Sequence, residues 1–454
     1  MFTPSILQKI LQALPFSADF WVAYSGGLDS HVLLHSLASL RTTHPNLRFQ
    51  AIHINHGLSE NAEKWSKHCQ HVCEALSIEC IIKNVPSEAY GTRNNLEATA
   101  RNFRYELLAD ILPDQAYLLT AHHRDDQMET LLLRLFRGAG VKGLSAMSFQ
   151  RSLGKGFLVR PLLNISRQSL NDYARREKLH WIEDESNFSL KFDRNYLRQK
   201  VMPLLKTRWP SLSTVLARTA YHCQETSILL DKIALEDLTK VRGSIAGTLS
   251  VSALKQLSFV HQTQILRYWL NMLSLSPPDS KKINALVKNL LYARTDAMPL
   301  MLWNGAEIHR YKDDLYAFFT LLPHDVNAII PWDLKTPLNL PANIGQLTVK
   351  RLKETTEATS ANTISLPQSI ATTTVRFRQG GERFHAYNRS GSHPLKKLFQ
   401  EWSVPTWLRD RVPLLYFDEE LAMVVGYAVS KNYAVTSDRR HNTAVLEFNP
   451  GLYF

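Results

Sequence analysis

The sequence predicts an α/β protein in which a parallel-sheet domain precedes a helical domain and a small β-rich C-terminal domain. Strand-like apolar runs recur about every 30 residues through the first 120, with helical stretches between them. Leu-rich helical periodicity dominates residues 216–300, and short β-branched runs separated by Pro and Gly follow from about residue 325. The predicted domains are 1–215, 216–320 and 321–454.

Each predicted element of the first domain follows from this alternation. The predicted strands are 20–24, 49–54, 80–85 and 116–120, and the helices after them are 28–40, 60–76, 96–112 and 125–136. Strands alternating with helices form parallel sheets, whose ligands bind beyond the carboxyl ends of the strands. Further along, residues 161–215 are predicted to be helical. The Thr/Ser/Ala-rich residues 354–374 are predicted to be a loose loop or linker.

Composition narrows the class of protein. The 454 residues contain no apolar run of the roughly 18 residues that a membrane span needs, and the N-terminus lacks an export signal. We therefore expect a cytoplasmic protein without a membrane partner. Four cysteines are too few for a disulfide framework, which favours reduced thiols. The sequence does not indicate an oligomeric state.

The positive charge is concentrated beside the predicted site. The net charge is +12, and residues 101–210 contain 19 Lys or Arg against 12 Asp or Glu. A basic surface favours polyanionic partners such as nucleic acid.

The strongest local motif follows the first strand and opens a helix: Ser25, Gly26, Gly27, Leu28, Asp29 and Ser30. Two glycines let the backbone approach a phosphate, while a helix N-terminus and the serine hydroxyls attract an anion. A carboxylate here suggests a divalent cation between Asp29 and phosphate. A plain glycine turn with a helix cap is the alternative. The motif is not a Walker loop, because the one Gly-Lys pair, Gly154-Lys155, lacks the flanking residues.

A second cluster follows the fourth strand. His122, Asp126 and Glu129 lie within eight residues of each other, and the two carboxylates share a helical face at i, i+3. Paired carboxylates can hold Mg²⁺ or orient an amine, although acidic residues also suit any helix start. On the preceding helix, Arg101 and Arg104 could grip phosphate or form a solvated basic face. The later GxGxxG match at 138–143 follows a helix, so it does not predict a dinucleotide site.

These motifs together resemble the tRNA(Ile)-lysidine synthetase family in its long form. SGGxDS is the PP-loop signature of the N-type ATP pyrophosphatases, and the longer stretches are more specific. The matching stretches are SGGLDS at 25, HINHGL at 53, ARNFRY at 100, TAHHRDDQMETLLLRLFRGAGVKGLSAM at 120, RPLL at 160, EDESNFSLKFDRNYLRQKVMPLL at 183, RFRQGGERF at 376, HPLKKLFQE at 393 and VPTWLRDRVPLLY at 404. The sequence departs from many members at Ser59, where they carry Arg.

The resemblance implies a PP-loop ATP pyrophosphatase domain and a defined reaction. ATP adenylates the wobble cytidine of an isoleucine tRNA with a CAU anticodon, and free L-lysine displaces AMP. The six residues 25–30 would bind ATP, with Asp29 at Mg²⁺. The catalytic residues that the resemblance implies are Asp29, Arg101, His122, Asp126, Glu129 and Arg137.

The C-terminal block interleaves basic residues with two tryptophans. Cations and aromatic rings suit RNA, although the tryptophans also suit a small β-rich core. The block comprises Arg376, Arg378, Arg383, Lys396, Lys397, Trp402, Trp407, Arg409 and Arg411.

Three other functions are the alternatives. Another PP-loop tRNA-modifying enzyme, such as a tRNA 2-thiocytidine synthetase, is the first; thiolation of that type needs Cys-x-x-Cys pairs, and Cys69 and Cys73 are instead spaced i, i+4. A glutamine-dependent amidotransferase would need a catalytic cysteine motif that the sequence lacks. A non-catalytic tRNA-binding protein would not form AMP or pyrophosphate.

Overall fold

The structure is a computed structural model that describes residues 1–15, 19–57, 59–85, 96–294, 297–352, 361–367, 372–435 and 443–451, with the side chains of 96–102, 186 and 187 outside the description. The chain divides into two compact units, Met1–Leu230 and Asp231–Phe454. None of the described helices is long and apolar enough to cross a membrane.

The first unit is built on a six-stranded sheet in the order β3-β2-β1-β4-β6-β5. Its strands are β1 (Phe20–Ala23), β2 (Phe49–Asn55), β3 (Cys80–Asn84), β4 (Tyr117–Leu119), β5 (Gln150–Leu153) and β6 (Gly156–Val159). Its helices are α1 (Pro4–Leu11), α2 (Leu28–Leu40), α3 (Ala62–Ala75), α4 (Leu96–Ile111), α5 (Arg124–Phe136), α6 (Val141–Leu144), α7 (Arg167–Arg176), α8 (Asp193–Tyr196) and α9 (Met202–Arg208), and α10 (Leu212–Lys240) runs on into the second unit. The four predicted strands and their helices are confirmed.

Alternating side chains of β1 serve two cores. Phe20 and Val22 pack with α2 and α7 on one face, whereas Trp21 packs with α4 on the other. A strand buried on both faces reads as a continuous apolar run, which is why the local pattern predicted it correctly.

Two features of this unit differ from the sequence prediction. β5 pairs antiparallel with β6 in a hairpin whose turn contains Gly154. Residues 177–184 are not helical, although 161–215 was predicted to be helical throughout. Gly154 has φ +54°, and a Cβ there would lie 2.4 Å from Ala109 O, so the hairpin needs glycine at this close approach.

The second unit begins with a helical region that also contains a small antiparallel sheet. Its helices are α11 (Val251–Lys255), α12 (Phe259–Met272) and α13 (Ser280–Leu286). The sheet has the order β7-β10-β9-β8, from β7 (Leu249–Ser250), β8 (Leu300–Trp303), β9 (Ala306–Tyr311) and β10 (Asp314–Phe319). The sequence predicted the helices and not this sheet.

The C-terminal region is β-rich, as predicted. Its strands are β11 (Ile330–Pro331), β12 (Leu338–Asn339), β13 (Gly345–Leu352), β14 (Thr363–Ser365), β15 (Thr373–Arg376), β16 (Arg383–Phe384), β17 (His393–Pro394), β18 (Leu414–Phe417), β19 (Glu420–Val424), β20 (Ala428–Val429) and β21 (Thr443–Pro450), and α14 is Leu395–Glu401. β14 lies inside the predicted linker 354–374 and pairs with β21. Much of that linker lies outside the described residues.

Asp125 ties three helices of the first unit together. Its Oδ2 accepts a hydrogen bond from the Arg167 backbone N–H at 3.0 Å, and its Oδ1 accepts one from Lys206 Nζ. Burial alone would raise the pKa of Asp125, but the bonds from Lys206 and Arg167 outweigh it, and the net pKa lies below the ordinary 3.8. The ionised carboxylate therefore stabilises the junction of α5, α7 and α9.

We expect Asp125→Asn to lower the free energy of unfolding by about 1–3 kcal/mol at pH 7. Because the folded pKa is depressed, the stabilising contribution is present above pH 3.8 and is lost as the pH falls through the folded value. The gap between variant and wild type, measured by urea unfolding, should therefore narrow below pH 4. Asp193→Asn, at a carboxylate that is 80% exposed, is the control. A gap of constant size across this range would contradict the assignment.

Candidate active site

The site lies where β1 and β4 end side by side. These strands pair in parallel, with Val22 opposite Leu119, so the segments that follow them meet at one edge of the sheet. From β1 the sheet continues through β2 and β3 on one side and through β4, β6 and β5 on the other. This reversal of strand order creates the crevice in which open α/β sheets bind ligands.

The glycine-rich loop after β1 is held by its own serines. Ser30 Oγ donates to Gly27 O at 2.9 Å and accepts from the Ser25 backbone N–H at 3.2 Å. Gly26 has φ +78°, and a Cβ there would lie 2.7 Å from Ile182 Cδ1 and 3.0 Å from Cys69 Sγ. Ile182 N–H also donates to Gly26 O at 2.9 Å. The contacts with Ile182 and Cys69 thus fix the loop in a conformation that requires glycine at position 26.

Asp29 and His123 join the two segments. His123 Nε2 lies 3.5 Å from Asp29 Oδ2. Burial lowers the pKa of His123, but the carboxylates of Asp126 and Asp29 raise it by more, so the net pKa lies above 6.5. The cause of the raised pKa is that the imidazole lies between two carboxylates, 3.5 Å from Asp29 and 3.3 Å from Asp126.

The other oxygen of Asp29, Oδ1, is buried and accepts no hydrogen bond from any residue that the structure describes. An orphaned carboxylate oxygen beside a phosphate loop fits Mg²⁺, which binds through one or two carboxylates plus substrate phosphates. No group of three His, Cys, Asp or Glu in the described chain has the geometry of a metal site. Any cation here would therefore depend on Asp29 and the phosphates.

Asp126 and Glu129 are paired with two arginines from the segment 193–208. Arg194 contacts Asp126 Oδ1 at 2.9 Å and Glu129 Oε2 at 2.7 Å, and Arg198 contacts the same two carboxylates at 3.1 and 2.6 Å. Glu129 is 1% exposed. A π-helical turn, Leu197–Val201, joins α8 to α9 at Arg198, and such turns are frequent at functional sites.

Each carboxylate has little capacity left. Asp126 accepts hydrogen bonds from the His123 backbone N–H, Arg194 and Arg198, and Glu129 accepts three from the two arginines. A carboxylate has about four acceptor positions. Asp126 therefore keeps roughly one acceptor position for a further donor, whereas Glu129, at 1% exposed, is enclosed by the two arginines. Desolvation would raise the pKa of Asp126, but His123 and Arg194 hold it well below its usual range.

The remaining predicted residues are dispersed. His122 Nδ1 lies 2.9 Å from Thr120 Oγ1 near the same edge. Arg137 follows the far end of α5, about 16 Å along the helix from Asp126, is 73% exposed and lies 3.9 Å from Asp193. The side chain of Arg101 lies outside the described residues. Their catalytic roles stay predictions.

Sequence reasoning missed Arg194 and Arg198. They lie in the stretch at 183 that carries the family resemblance, and their i, i+4 spacing was the one available signal. Their partners are 65 to 72 residues away, so no local pattern links them.

The C-terminal block separates into buried and exposed residues. Arg409 and Arg411 are buried, and Arg409 Nε donates to Val404 O at 2.9 Å. Trp407 stacks on His309 with ring centroids 4.2 Å apart. Arg376 pairs with Glu419 and Arg378 with Asp410, whereas Arg383, Lys396 and Lys397 are exposed. Part of the block is therefore structural.

Three family models match the chain. A PP-loop domain covers residues 4–205, the TilS substrate binding domain covers 249–316 and the TilS substrate C-terminal domain covers 373–445. Among solved structures, the U34-tRNA thiolase NcsA from Methanococcus maripaludis matches 49% of this chain and 78% of its own at 18% identity and TM-score 0.41. That likeness is too weak to carry an argument about function.

Two bacterial proteins match almost the whole chain in sequence. The tRNA(Ile)-lysidine synthase of Coxiella burnetii is 41% identical over 433 residues, which is 95% of this chain and 94% of the relative. That of Histophilus somni (strain 2336) is 36% identical over 424 residues, 93% of this chain and 97% of the relative. From this similarity over nearly its full length, the chain belongs to the tRNA(Ile)-lysidine synthase family.

Proposed function

We propose that this protein joins free L-lysine to the wobble cytidine of an isoleucine tRNA with a CAU anticodon, in an ATP- and Mg²⁺-dependent reaction. As a member of its family it is an ATP-using ligase that forms lysidine. The observation that carries the finer proposal is the meeting of the phosphate loop, through Asp29, with the charge cluster of Asp126, Glu129, Arg194 and Arg198. The proposal includes a cytoplasmic location and the three-domain division 1–215, 216–320 and 321–454.

The first step needs positive charge at the phosphates. The C2 oxygen of the cytidine attacks the α-phosphorus of ATP, and pyrophosphate leaves. The N-terminus of α2 would direct its first backbone N–H groups at the phosphates. His123 would hold Asp29 in place through the contact of its Nε2 with Asp29 Oδ2 at 3.5 Å. Asp29 would hold Mg²⁺, which neutralises charge on the leaving pyrophosphate.

The second step needs an oriented amine. The lysine ε-amine attacks C2 of the adenylated cytidine, the C2–O bond breaks and AMP leaves. We assign the remaining acceptor position of Asp126 to that amine, and Glu129 acts with it by holding the two arginines. Arg194 and Arg198 hold both carboxylates in place, and their charge also favours the departing phosphate.

The direct test is incubation of the purified protein with labelled lysine, ATP, Mg²⁺ and a transcript of the CAU isoleucine tRNA. Methionine tRNA, which has the same anticodon, is the control. We expect label only in the isoleucine tRNA, with AMP and pyrophosphate released. AMP formed without lysine incorporation would point to another nucleophile. A folded sample that forms neither product would be a tRNA-binding protein.

Asp29→Asn should lower the rate of lysine incorporation by about 100-fold, because the amide cannot neutralise a cation at the phosphates. The variant should also need more Mg²⁺ for half-maximal rate, which a Mg²⁺ titration measures. Asp193→Asn is the matched control and should remain near wild type. A Mg²⁺ dependence unchanged in Asp29→Asn would remove the metal from this residue.

Glu129→Gln should destabilise the fold by about 3 kcal/mol, because two partly buried guanidinium groups would lose one of the two carboxylates that they share. The exposed pair Arg137–Asp193 provides the contrast, since Asp193→Asn should cost no more than about 0.5 kcal/mol. Chemical unfolding at pH 7 measures both. Equal effects of the two substitutions would mean that the buried cluster contributes no more than a surface pair.

A further inference from the structure

His123 contacts a carboxylate in each half of the site. Its Nε2 lies 3.5 Å from Asp29 Oδ2, and its backbone N–H donates to Asp126 Oδ2 at 2.9 Å. The His123 side chain is 2% exposed. Sequence reasoning selected His122, whose Nδ1 instead lies 2.9 Å from Thr120 Oγ1. The histidine that joins the phosphate loop to the carboxylates of α5 is therefore His123.

The ring of His123 is the N-terminal cap of α5. Its Nδ1 accepts a hydrogen bond from the Asp126 backbone N–H at 3.3 Å, in a capping box that the Asp126 carboxylate completes. Serine, threonine, aspartate and asparagine are the usual residues at this position, because their short side chains reach the N–H groups of the first turn. A cap alone therefore does not require an imidazole here, whereas a cap with a second nitrogen that reaches Asp29 does.

The cap determines which ring nitrogen of His123 carries the hydrogen. In a neutral imidazole, one nitrogen donates and the other accepts. Because Nδ1 accepts from the backbone, the hydrogen is on Nε2, which faces Asp29 Oδ2. A donor on Nε2 directs this oxygen of Asp29 towards the ring. The buried Oδ1, which accepts no hydrogen bond from any described residue, is then left for a cation.

We propose that His123 is a positioning residue that couples the binding of ATP and Mg²⁺ at Asp29 to the binding of the lysine amine at Asp126. The inference rests on the proposed function. A ligand at Asp29 fixes the carboxylate that accepts from Nε2, and so fixes the ring that caps α5 at Asp126. A ligand at Asp126 fixes the same ring from the other side. The second ligand then meets a site that has already lost conformational freedom, so each ligand strengthens the binding of the other by the same factor.

The test measures the Kd of lysine by calorimetry, with and without Mg²⁺ and α,β-methylene ATP, whose bond between the α and β phosphates is not cleaved. In wild type, the nucleotide should tighten lysine binding roughly 5-fold or more. His123→Asn should remove this difference, because the shorter amide retains the cap and does not reach Asp29. This variant should also raise the Mg²⁺ concentration for half-maximal lysine incorporation about 10-fold.

A second variant separates positioning from capping. The amide nitrogen of His123→Gln takes the place of Nε2 and donates to Asp29, whereas glutamine lacks the short side chain that caps a helix. We expect this variant to unfold at a lower urea concentration than wild type and to keep the coupling, and His123→Asn to show the reverse. His222→Asn is the matched control, because His222 lies 3.2 Å from Glu225 at the same i, i+3 spacing and is 66% exposed. It should change neither property.

The outcomes keep the two proposals apart. If wild type binds lysine and nucleotide independently of each other, or if His123→Asn keeps the coupling, the positioning role is wrong and the proposed function is unaffected. Loss of the coupling in both His123→Asn and His123→Gln, with lower stability in both, would make His123 a structural cap only. A wild type that binds neither ligand would overturn both proposals.

Discussion

The burial of Glu129 constrains the architecture of the first unit more than any other single interaction. A carboxylate that is 1% exposed would be strongly unfavourable without counter-charges. The segment 193–208 supplies these counter-charges, and the position of the segment follows from the need to compensate the buried carboxylate. Breaking such a pair costs more than forming it gains, because the remaining charge is left without a partner. The charge cluster therefore determines the position of the segment 193–208, and the rest of the site is arranged around it.

The phosphate loop depends on a different constraint, which is packing. The loop conformation needs a positive φ at Gly26, and the side chains of Ile182 and Cys69 close the space beneath it. Burial raises the pKa of Cys69 to about 12, so its thiol stays protonated as a small apolar filler. Cys69 also lies 3.4 Å from His53 Nδ1. Cys69, one of the two cysteines spaced i, i+4 in α3, thus supports the loop.

Much of this architecture was accessible from sequence because it is local. The strands alternate with helices at a regular period, and the loop at 25–30 and the carboxylates of α5 each fall within a few residues. The hairpin β5–β6 was missed because an exposed strand of four residues, followed by a Gly-Lys turn, gives little periodic signal. Arg194 and Arg198 were missed because their role exists only through partners distant in sequence. The antiparallel sheet of β7, β8, β9 and β10 was missed because β8 and β10 carry exposed apolar side chains, such as Leu300 and Phe319, in a region dominated by helical periodicity.

Arg194 links the buried charges to the reaction site. Its guanidinium contacts both Asp126 and Glu129, so the residue that compensates the burial of Glu129 also contacts the carboxylate that we propose to orient the amine. Because His123 lies 3.3 Å from Asp126 and 3.5 Å from Asp29, the same network reaches the phosphate loop. Loss of one counter-charge would therefore disturb the fold and the site together, since the remaining buried charge is left without its partner.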